Sequence, residues 1–249
     1  MSRVGITNLR TLIQTTWRGH TFRFTPEVEV TIDLTSERKG VHMSRLIEAI
    51  TQTLEDEAQK PGRSIEEIER RILERLLERH QYRRGDVRMT TDLIVFKRTP
   101  VSLKKTMESH RVVVTVTKEG ARFTKRLKVT VLGNTVCPHS MLTAKKPHIQ
   151  RAIGELEVET AYDTYVSLED MIKCVEKSFS AEVYTLLKTE DEKQVVKNMF
   201  ENPKFVEDVV RDMLRNAKRT LPKCRIRAKA ISQESIHRHD VIAEGTITT

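Results

Sequence analysis

The stretch 234–240, which runs Glu-Ser-Ile-His-Arg-His-Asp, is typical of a metal site or an acid/base site because it holds carboxylates and imidazoles close together. The preceding residues, 224–230, alternate apolar and basic side chains as a half-buried strand does. The cluster is therefore predicted to lie at or just past a strand end. Side chains three positions apart on a regular strand face opposite ways. Glu234 and His237 can therefore share a ligand only where the backbone is irregular.

Two further segments, 133–139 and 146–151, supply a cysteine and a histidine that would complete such a site. A thiolate from Cys137 and an imidazole from His148, together with Glu234 and His237, suit zinc or ferrous iron with one coordination position left for water. The spacing alone leaves a plainer alternative open. In that alternative Cys137 is a small buried apolar residue, and the histidines and the glutamate are ordinary solvated side chains.

The first half of the chain alternates strand and helix patterns. Strands are predicted over 22–34, 87–97, 112–117 and 122–132, and helices over 43–57 and from Ser64 onward. A polar break is expected over 35–40, and Pro61-Gly62 is expected to end the first helix. Ser64 and Glu67 have the spacing of a capping box. Glu119-Gly120 is predicted to join two strands as a hairpin.

The second half repeats this order of elements. Strands are predicted over 149–160, 223–231 and 241–247, and helices over 167–177 with Ser167 as cap, over 181–187, over 190–200 and from Pro203 to 218. The pattern predicts an α+β protein of two tandem units, 1–133 and 134–249, each with an antiparallel sheet and helices on one face.

The composition is that of an ordinary soluble protein: 249 residues, 38% hydrophobic and 32% charged. The sequence has no apolar run near the length of a membrane span and no signal-peptide pattern, so no membrane contact and a cytoplasmic location are expected. The 3 cysteines form no CxxC pair, which argues against a disulfide framework and fits a reducing compartment.

The formal net charge of +9 favours an anionic partner, either a nucleic acid or a nucleotide triphosphate. The basic residues are spread along the chain in pairs, and few aromatic residues are interleaved with them for base stacking. The sequence also contains no recognisable nucleic-acid-binding module. A nucleotide is therefore preferred over nucleic acid as the partner.

Motifs along nearly the whole chain resemble those of the GTP cyclohydrolases of type IB and their archaeal type IV relatives. They occur in the same order in this sequence: 2–9, 39–45, 135–138, 148–151, 184–193, 202–208 and 234–240. The last of them looks more like the archaeal branch. The resemblance implies a bimodular tunnelling fold, in which sheets from several subunits form a barrel. It also implies active sites at the subunit interfaces of a homodimer or homotetramer.

The resemblance also implies roles for particular residues. The metal ligands would be Cys137, His148, Glu192, Glu234 and His237. Glu207 would anchor the purine by accepting hydrogen bonds from the guanine amide and amino groups, although from sequence alone it is an ordinary first-turn helix residue. His42 and Arg45 would lie near the substrate, toward its phosphates. Catalysis would involve Cys137, Glu234 and His237, with His239 as proton shuttle beside Asp240.

The implied reaction opens the imidazole ring of guanine in GTP. It adds water at C8, an unactivated carbon, and a second hydrolysis then releases formate. A divalent metal assists by lowering the pKa of bound water. Ferrous iron is the preferred metal, with zinc or manganese as alternatives. The product expected first is the archaeal-type dihydroneopterin 2',3'-cyclic phosphate. The bacterial-type 7,8-dihydroneopterin triphosphate and a non-catalytic purine- or pterin-binding protein are the alternatives.

Two positions depart from the family pattern. His139 stands where the family has a second cysteine of a Cys-Pro-Cys motif, and Ile149 stands where it has asparagine. The first change puts an imidazole in place of a thiol close to the presumed metal. Imidazole binds zinc, iron and copper alike, so this change bears on metal preference.

Overall fold

The computed structural model describes residues 1–17, 20–34, 40–59, 64–144 and 147–249. The helices in these ranges are α1 (Met43–Gln59), α2 (Ile65–Arg79), α3 (Pro138–Ala144), α4 (Leu168–Glu176), α5 (Thr189–Glu201) and α6 (Val206–Thr220). The strands are β1 (Val4–Arg10), β2 (Ile13–Trp17), β3 (His20–Phe24), β4 (Glu27–Ile32), β5 (Arg84–Arg98), β6 (Lys105–Glu119), β7 (Arg122–Val136), β8 (Ile149–Ala161), β9 (Ala181–Glu182), β10 (Arg225–Gln233) and β11 (Val241–Thr248). This content confirms the predicted α+β class.

Most of the described strands belong to one sheet, hydrogen-bonded in the order β1-β4-β5-β6-β7-β8-β10-β11, with β9 paired to β7. The pairs β1–β4, β4–β5, β8–β10 and β10–β11 are antiparallel, as predicted. β2 and β3 pair only with each other among the residues described. The order places the ends of β7, β8 and β10, which carry the predicted site residues, on neighbouring strands.

The chain divides into two compact units. Unit 1 contains Met1–Asp92, Val113–Leu127 and Thr160–Asp163, and unit 2 contains Leu93–Val112, Lys128–Glu159 and Thr164–Thr249. Each unit takes segments from both sides of the predicted boundary between residues 133 and 134. That boundary therefore stays a prediction.

Unit 1 has a core between its helices and its strands. In β4 the predicted inward residues Val28, Val30 and Ile32 are buried, so the strand alternation is confirmed. The predicted capping box at the start of α2 is present, because Glu67 N–H donates to Ser64 Oγ and Ser64 N–H donates to the Glu67 carboxylate. The apolar face of α2 packs into the same core cluster.

Unit 2 buries the apolar faces of α4 and α6. α6 packs against α4 and against β10 and β11, where Ala228 and Ala230 of β10 are small enough to allow close approach. Phe179 is fully buried over Gly133 of β7, and a Cβ on that glycine would lie 2.1 Å from the ring. A larger residue at position 133 would clash with Phe179 in the turn after α4, so glycine is required there. Gly133 belongs to the strand that leads to Cys137.

Two predicted elements differ in the structure. The predicted strand over 22–34 is interrupted at Pro26, which has no N–H for a sheet ladder, so its first part belongs to β3 and its second part to β4. The predicted helix over 181–187 is wrong. Ala181 and Glu182 form β9, and Ala181 N–H donates to Asn134 Oδ1 at 3.1 Å. The backbone of this segment therefore forms hydrogen bonds with β7, which is distant in the sequence, and not the internal hydrogen bonds of a helix.

The other element predictions agree in type. Ser167 caps α4 by accepting from Asp170 N–H, and the hairpin between β6 and β7 turns at Gly120, whose φ is +57°. The predicted break over 35–40 and the predicted helix end at Pro61-Gly62 lie almost entirely outside the described residues. No helix in the described ranges is long and apolar enough to cross a membrane.

Candidate active site

Cys137 follows the last residue of β7 and immediately precedes α3. The residue before it is held from two sides, since Val136 N–H donates to Ser180 Oγ at 3.2 Å and Val136 O accepts from Lys204 N–H at 3.0 Å. Ser140 N–H points at the thiol, 3.4 Å from Sγ. The half-buried cysteine is thus fixed in place by the chain around it.

His148 lies beside Cys137 at the start of β8. The two segments are joined by a hydrogen bond from Cys137 N–H to His148 O at 3.3 Å. The imidazole Nδ1 lies 3.0 Å from Gln150 Oε1 and 4.0 Å from Glu234 Oε2. Cys137, His148 and Glu234 are thus neighbours in space although they come from separate strand ends.

Glu234 enters the site just past the end of β10. Its Oε1 accepts from Gln150 Nε2 at 3.2 Å and from Ser232 Oγ at 2.9 Å. Its side chain is 8% exposed. The carboxylate is therefore held in one orientation within a largely buried polar network.

Residues 234–240 form the irregular segment between β10 and β11 that the sequence predicted. His237 and His239 lie on it with their rings stacked, 5.3 Å between centroids and 22° between planes. Both histidines and Asp240 are exposed. The two members of the predicted Glu234/His237 pair are therefore in different surroundings. Glu234 lies in the buried polar network, whereas His237 is exposed.

Glu192 lies in the first turn of α5 and is exposed. Its neighbour Asp191 is fully buried and accepts hydrogen bonds from the backbone N–H groups of Val101, Ser102 and Lys188. Burial alone raises the pKa of Asp191. The hydrogen bonds from Ser102 Oγ and these backbone groups outweigh burial and hold the pKa well below its usual range.

Glu207 is exposed in the first turn of α6, where its carboxylate faces solvent at the positive end of the helix dipole. The turn is fixed by Phe205 N–H, which donates to Asp208 Oδ2 at 3.2 Å. His42 and Arg45 belong to unit 1, just before and within α1. Arg45 Nη1 donates to Arg79 O at 3.3 Å.

The sequence-predicted metal residues are brought together only in part. Cys137, His148 and Glu234 are neighbours, whereas Glu192 lies on α5 and His237 on the exposed segment. No group of three His, Cys, Asp or Glu side chains in the described ranges is close enough to hold a metal ion. His139 is exposed in the first turn of α3.

The three neighbouring side chains, a thiol, an imidazole and a carboxylate, are of the chemical types that bind zinc or ferrous iron. The Glu234 carboxylate can only accept, so the Gln150 amide must turn its nitrogen toward Glu234 and its oxygen toward His148. In the neutral imidazole of His148 the proton therefore lies on Nδ1, which Ser235 Oγ also approaches at 3.4 Å, and Nε2 holds a lone pair. This is the tautomer in which a metal-binding histidine donates its other ring N–H to an oxygen.

Sequence reasoning missed several polar residues around this site. Gln150, Ser232 and Thr135 are all buried, and Thr135 Oγ1 lies 3.1 Å from Ser232 Oγ. The spacing His148-x-Gln150 was an available signal, because residues two apart on a strand share a face. The partnership with Ser232 depends on strand pairing and leaves no local trace in the sequence.

A second polar cluster in unit 2 was also missed. Lys97 Nζ lies 2.8 Å from Glu176 Oε1 and 3.1 Å from Glu182 Oε2, and 4.1 Å from the centre of the Tyr184 ring. Burial raises the pKa of Glu176, and the Lys97 ammonium opposes that rise. Glu176, Glu182 and Tyr184 line an open cavity of about 350 Å³.

Comparisons with known proteins identify the family of this chain. GTP cyclohydrolase MptA of Pyrococcus abyssi is 52% identical over 249 residues, covering 98% of this chain and 93% of the relative. The MptA of Methanocaldococcus jannaschii is 33% identical and covers 100% and 91%. Uricase from Arthrobacter globiformis superimposes with a TM-score of 0.62 at 12% identity, covering 100% of this chain and 93% of that chain, which confirms the tunnelling fold. Because the family model for type I GTP cyclohydrolase folE2 matches residues 1–243, the chain belongs to that family.

Proposed function

We propose that this protein is a metal-dependent GTP cyclohydrolase that opens the guanine imidazole ring at C8 and releases formate. The observation that carries the proposal is that Cys137, His148 and Glu234 lie next to one another at neighbouring strand ends. Similarity to proteins named GTP cyclohydrolase MptA, at 48–52% identity in the three archaeal relatives from Pyrococcus and Thermococcus, supports GTP as substrate. The net charge of +9 fits an anionic nucleotide.

One divalent metal per site is part of the proposal, with Fe(II) preferred and zinc or manganese as alternatives. Cys137, His148 and Glu234 would hold it, joined by Glu192 and His237, as in the family motifs. When bound, the metal would supply Lewis acidity and lower the pKa of a water molecule. The Nδ1–H tautomer of His148 and the fixed carboxylate of Glu234 support this assignment.

The chain's own residues are proposed to bind the nucleotide and move protons. Glu207 would accept hydrogen bonds from the guanine amide and amino groups, since its carboxylate faces solvent. His42 and Arg45 would lie toward the phosphates. His239, exposed beside His237, would shuttle protons to and from the purine nitrogens, with Asp240 as its orienting partner.

The preferred product is dihydroneopterin 2',3'-cyclic phosphate, because the 234–240 motif looks more like the archaeal branch of the family. Dihydroneopterin triphosphate is the alternative product. We further propose a homodimer or homotetramer with interfacial sites, as the family resemblance implies. A cytoplasmic location is proposed because the three free cysteines fit a reducing compartment.

The test is to incubate metal-stripped protein with GTP under anaerobic conditions and to add back Fe²⁺, Mn²⁺ or Zn²⁺ separately. Formate release and the mass of the pterin product are measured together. Formate with a cyclic phosphate supports the preferred reaction, and formate with a triphosphate supports the alternative product. Binding of GTP without formate under any metal would indicate a non-catalytic purine-binding protein. Nucleic acid that is retained in a salt-dependent way, without metal, would indicate a nucleic-acid-binding protein.

A further inference from the structure

We propose that Gln150 is a positioning residue that fixes the tautomer of His148 and, together with Ser232, the orientation of Glu234. The effect of Gln150 on catalysis rests on the proposed function. Its effect on the His148 tautomer and on the Glu234 orientation does not. Gln150 does not touch substrate in this account. Its role is to hold two neighbouring groups in the form that the reaction needs.

The first support is the amide geometry. Gln150 Oε1 lies 3.0 Å from His148 Nδ1, and Gln150 Nε2 lies 3.2 Å from Glu234 Oε1. A carboxylate cannot donate a hydrogen bond, so the Gln150 atom that faces Glu234 must be the amide nitrogen. The amide oxygen then faces His148 and can only accept, which places the imidazole proton on Nδ1 and the lone pair on Nε2.

The second support is the sheet that carries the three residues. β8 and β10 pair with Ser232 opposite Ala152 and Gln233 opposite Arg151. Continuing the same antiparallel register by one residue brings Glu234 opposite Gln150. Hydrogen bonds of the sheet therefore set the distance between amide and carboxylate, and Gln150 is 8% exposed, so water competes little for these bonds.

The third support is a hydrogen-bond chain on the other side of Glu234. Ser232 Oγ donates to Glu234 Oε1 at 2.9 Å and so has no further proton to give. The contact of 3.1 Å between Thr135 Oγ1 and Ser232 Oγ must then be donated by Thr135. Ser232 and Gln150 thus both donate to Oε1 of Glu234, and Thr135 supports Ser232. Oε2 receives none of these hydrogen bonds.

The test compares wild-type protein with Gln150→Met, which keeps the length of the side chain and removes both hydrogen bonds, and with Gln150→Glu. Long-range ¹H–¹⁵N NMR of metal-free protein with labelled histidine reports the tautomer, with the His148 signals assigned by their loss in His148→Asn. Zn²⁺ and Mn²⁺ affinities are measured by competition with a chelator. Gln233→Met makes the same chemical change at an exposed position beside Glu234 and is the matched control.

The expected wild-type result is the Nδ1–H tautomer at His148, unchanged in Gln233→Met. Gln150→Met is expected to give a mixture of tautomers and metal affinity lower by about 10–100-fold, the range found when outer-shell partners are removed. Gln150→Glu still accepts from His148 but repels Glu234, so it should retain the tautomer and lose affinity. This second variant keeps the test decisive where Gln150→Met does not fold.

An Nε2–H tautomer in the wild-type protein would overturn the proposal, and so would unchanged tautomer and affinity in Gln150→Met. The NMR measurement uses neither metal nor GTP. A failure of the proposed GTP reaction would therefore leave the tautomer result standing, and a wrong tautomer would leave formate release from GTP untouched. The two failures are distinguishable.

Discussion

Asp191 on α5 holds the backbone of Ser102 in the turn between β5 and β6, with Oδ1 2.8 Å from Ser102 N and Oδ2 2.5 Å from Ser102 Oγ. The same carboxylate accepts from Lys188 N–H at 3.0 Å and so closes the first turn of the helix. Glu192, a proposed metal ligand, is the next residue. The position of that ligand therefore depends on a buried carboxylate that binds a turn far away in the sequence.

Replacing this carboxylate should loosen the start of α5. In Asp191→Asn the amide puts an N–H group among the donors of the turn, and we expect the melting temperature to fall by about 5 °C or more, as for loss of a buried network in a chain of this size. Because the pKa of Asp191 is lowered in the folded state, its stabilising effect is present above its usual value of 3.8 and is lost as pH falls through the folded pKa. Thermal unfolding at several pH values checks both points, with the exposed Glu190→Gln as control. Equal melting temperatures for wild type and Asp191→Asn at neutral pH would show that the Asp191 carboxylate does not stabilise the start of α5.

For Glu69 on α2 we expect stability to depend on pH in the direction opposite to that for Asp191. Both of its carboxylate oxygens are buried in unit 1 without a well-formed hydrogen bond among the described residues. Burial, followed by the charge of Glu66, raises its pKa well above the ordinary value of 4.5, and the nearby backbone N–H groups of Met89 and Val116 oppose that rise without offsetting it. Stability is then fully present below pH 4.5 and is lost as pH rises from there through the folded pKa.

Glu69→Met should therefore raise the free energy of unfolding at neutral pH by about 1–3 kcal/mol, the cost of an unsatisfied buried polar group. The gain should be smaller near pH 4, where the wild-type side chain is largely protonated in both states and the part of the cost that comes from its ionisation is gone. Urea unfolding at both pH values measures it, with the exposed Glu78→Met on the same helix as control. A gain that is equal at both pH values would show that ionisation of Glu69 is not its cause.

Cys137→Ala should abolish GTP turnover while sparing the fold, because it removes a proposed ligand and no core side chain. The loss in kcat/KM should exceed the roughly 10–100-fold effect typical of outer-shell partners. Cys224→Ala removes a buried cysteine away from the site and should retain activity. Steady-state kinetics with circular dichroism check the pair; near-normal turnover in Cys137→Ala would remove this residue from the site.

Glu207→Gln should weaken guanine recognition. Hydrogen bonds to a charged group contribute about 1.5–3 kcal/mol, so kcat/KM for GTP should fall on the order of 10–100-fold, mainly through KM. Inosine triphosphate lacks the amino group, so the preference for GTP over it should shrink in the variant. The exposed Glu201→Gln is the control. An unchanged preference would place the purine anchor elsewhere.

The sequence predicted those features that depend on neighbouring residues. The Ser64 and Ser167 caps and the irregular segment after β10 are of this kind. The features that it does not predict depend on distant pairing. Ala181 and Glu182 have their partners on β7, so the local apolar pattern there indicates a helix where the chain forms a strand. Gln150 was missed for the same reason, because only the register of β8 with β10 makes it a partner of Glu234.

The most direct test of the account is formate release in a single turnover with Fe²⁺ under anaerobic conditions, for wild type, Glu234→Gln and His148→Asn. One formate per GTP is expected from the wild-type protein and none from either variant, with all three folded by circular dichroism. Wild-type protein that releases no formate with Fe²⁺, Mn²⁺ or Zn²⁺ would contradict the proposed reaction. Undiminished formate from both variants would contradict the proposed site.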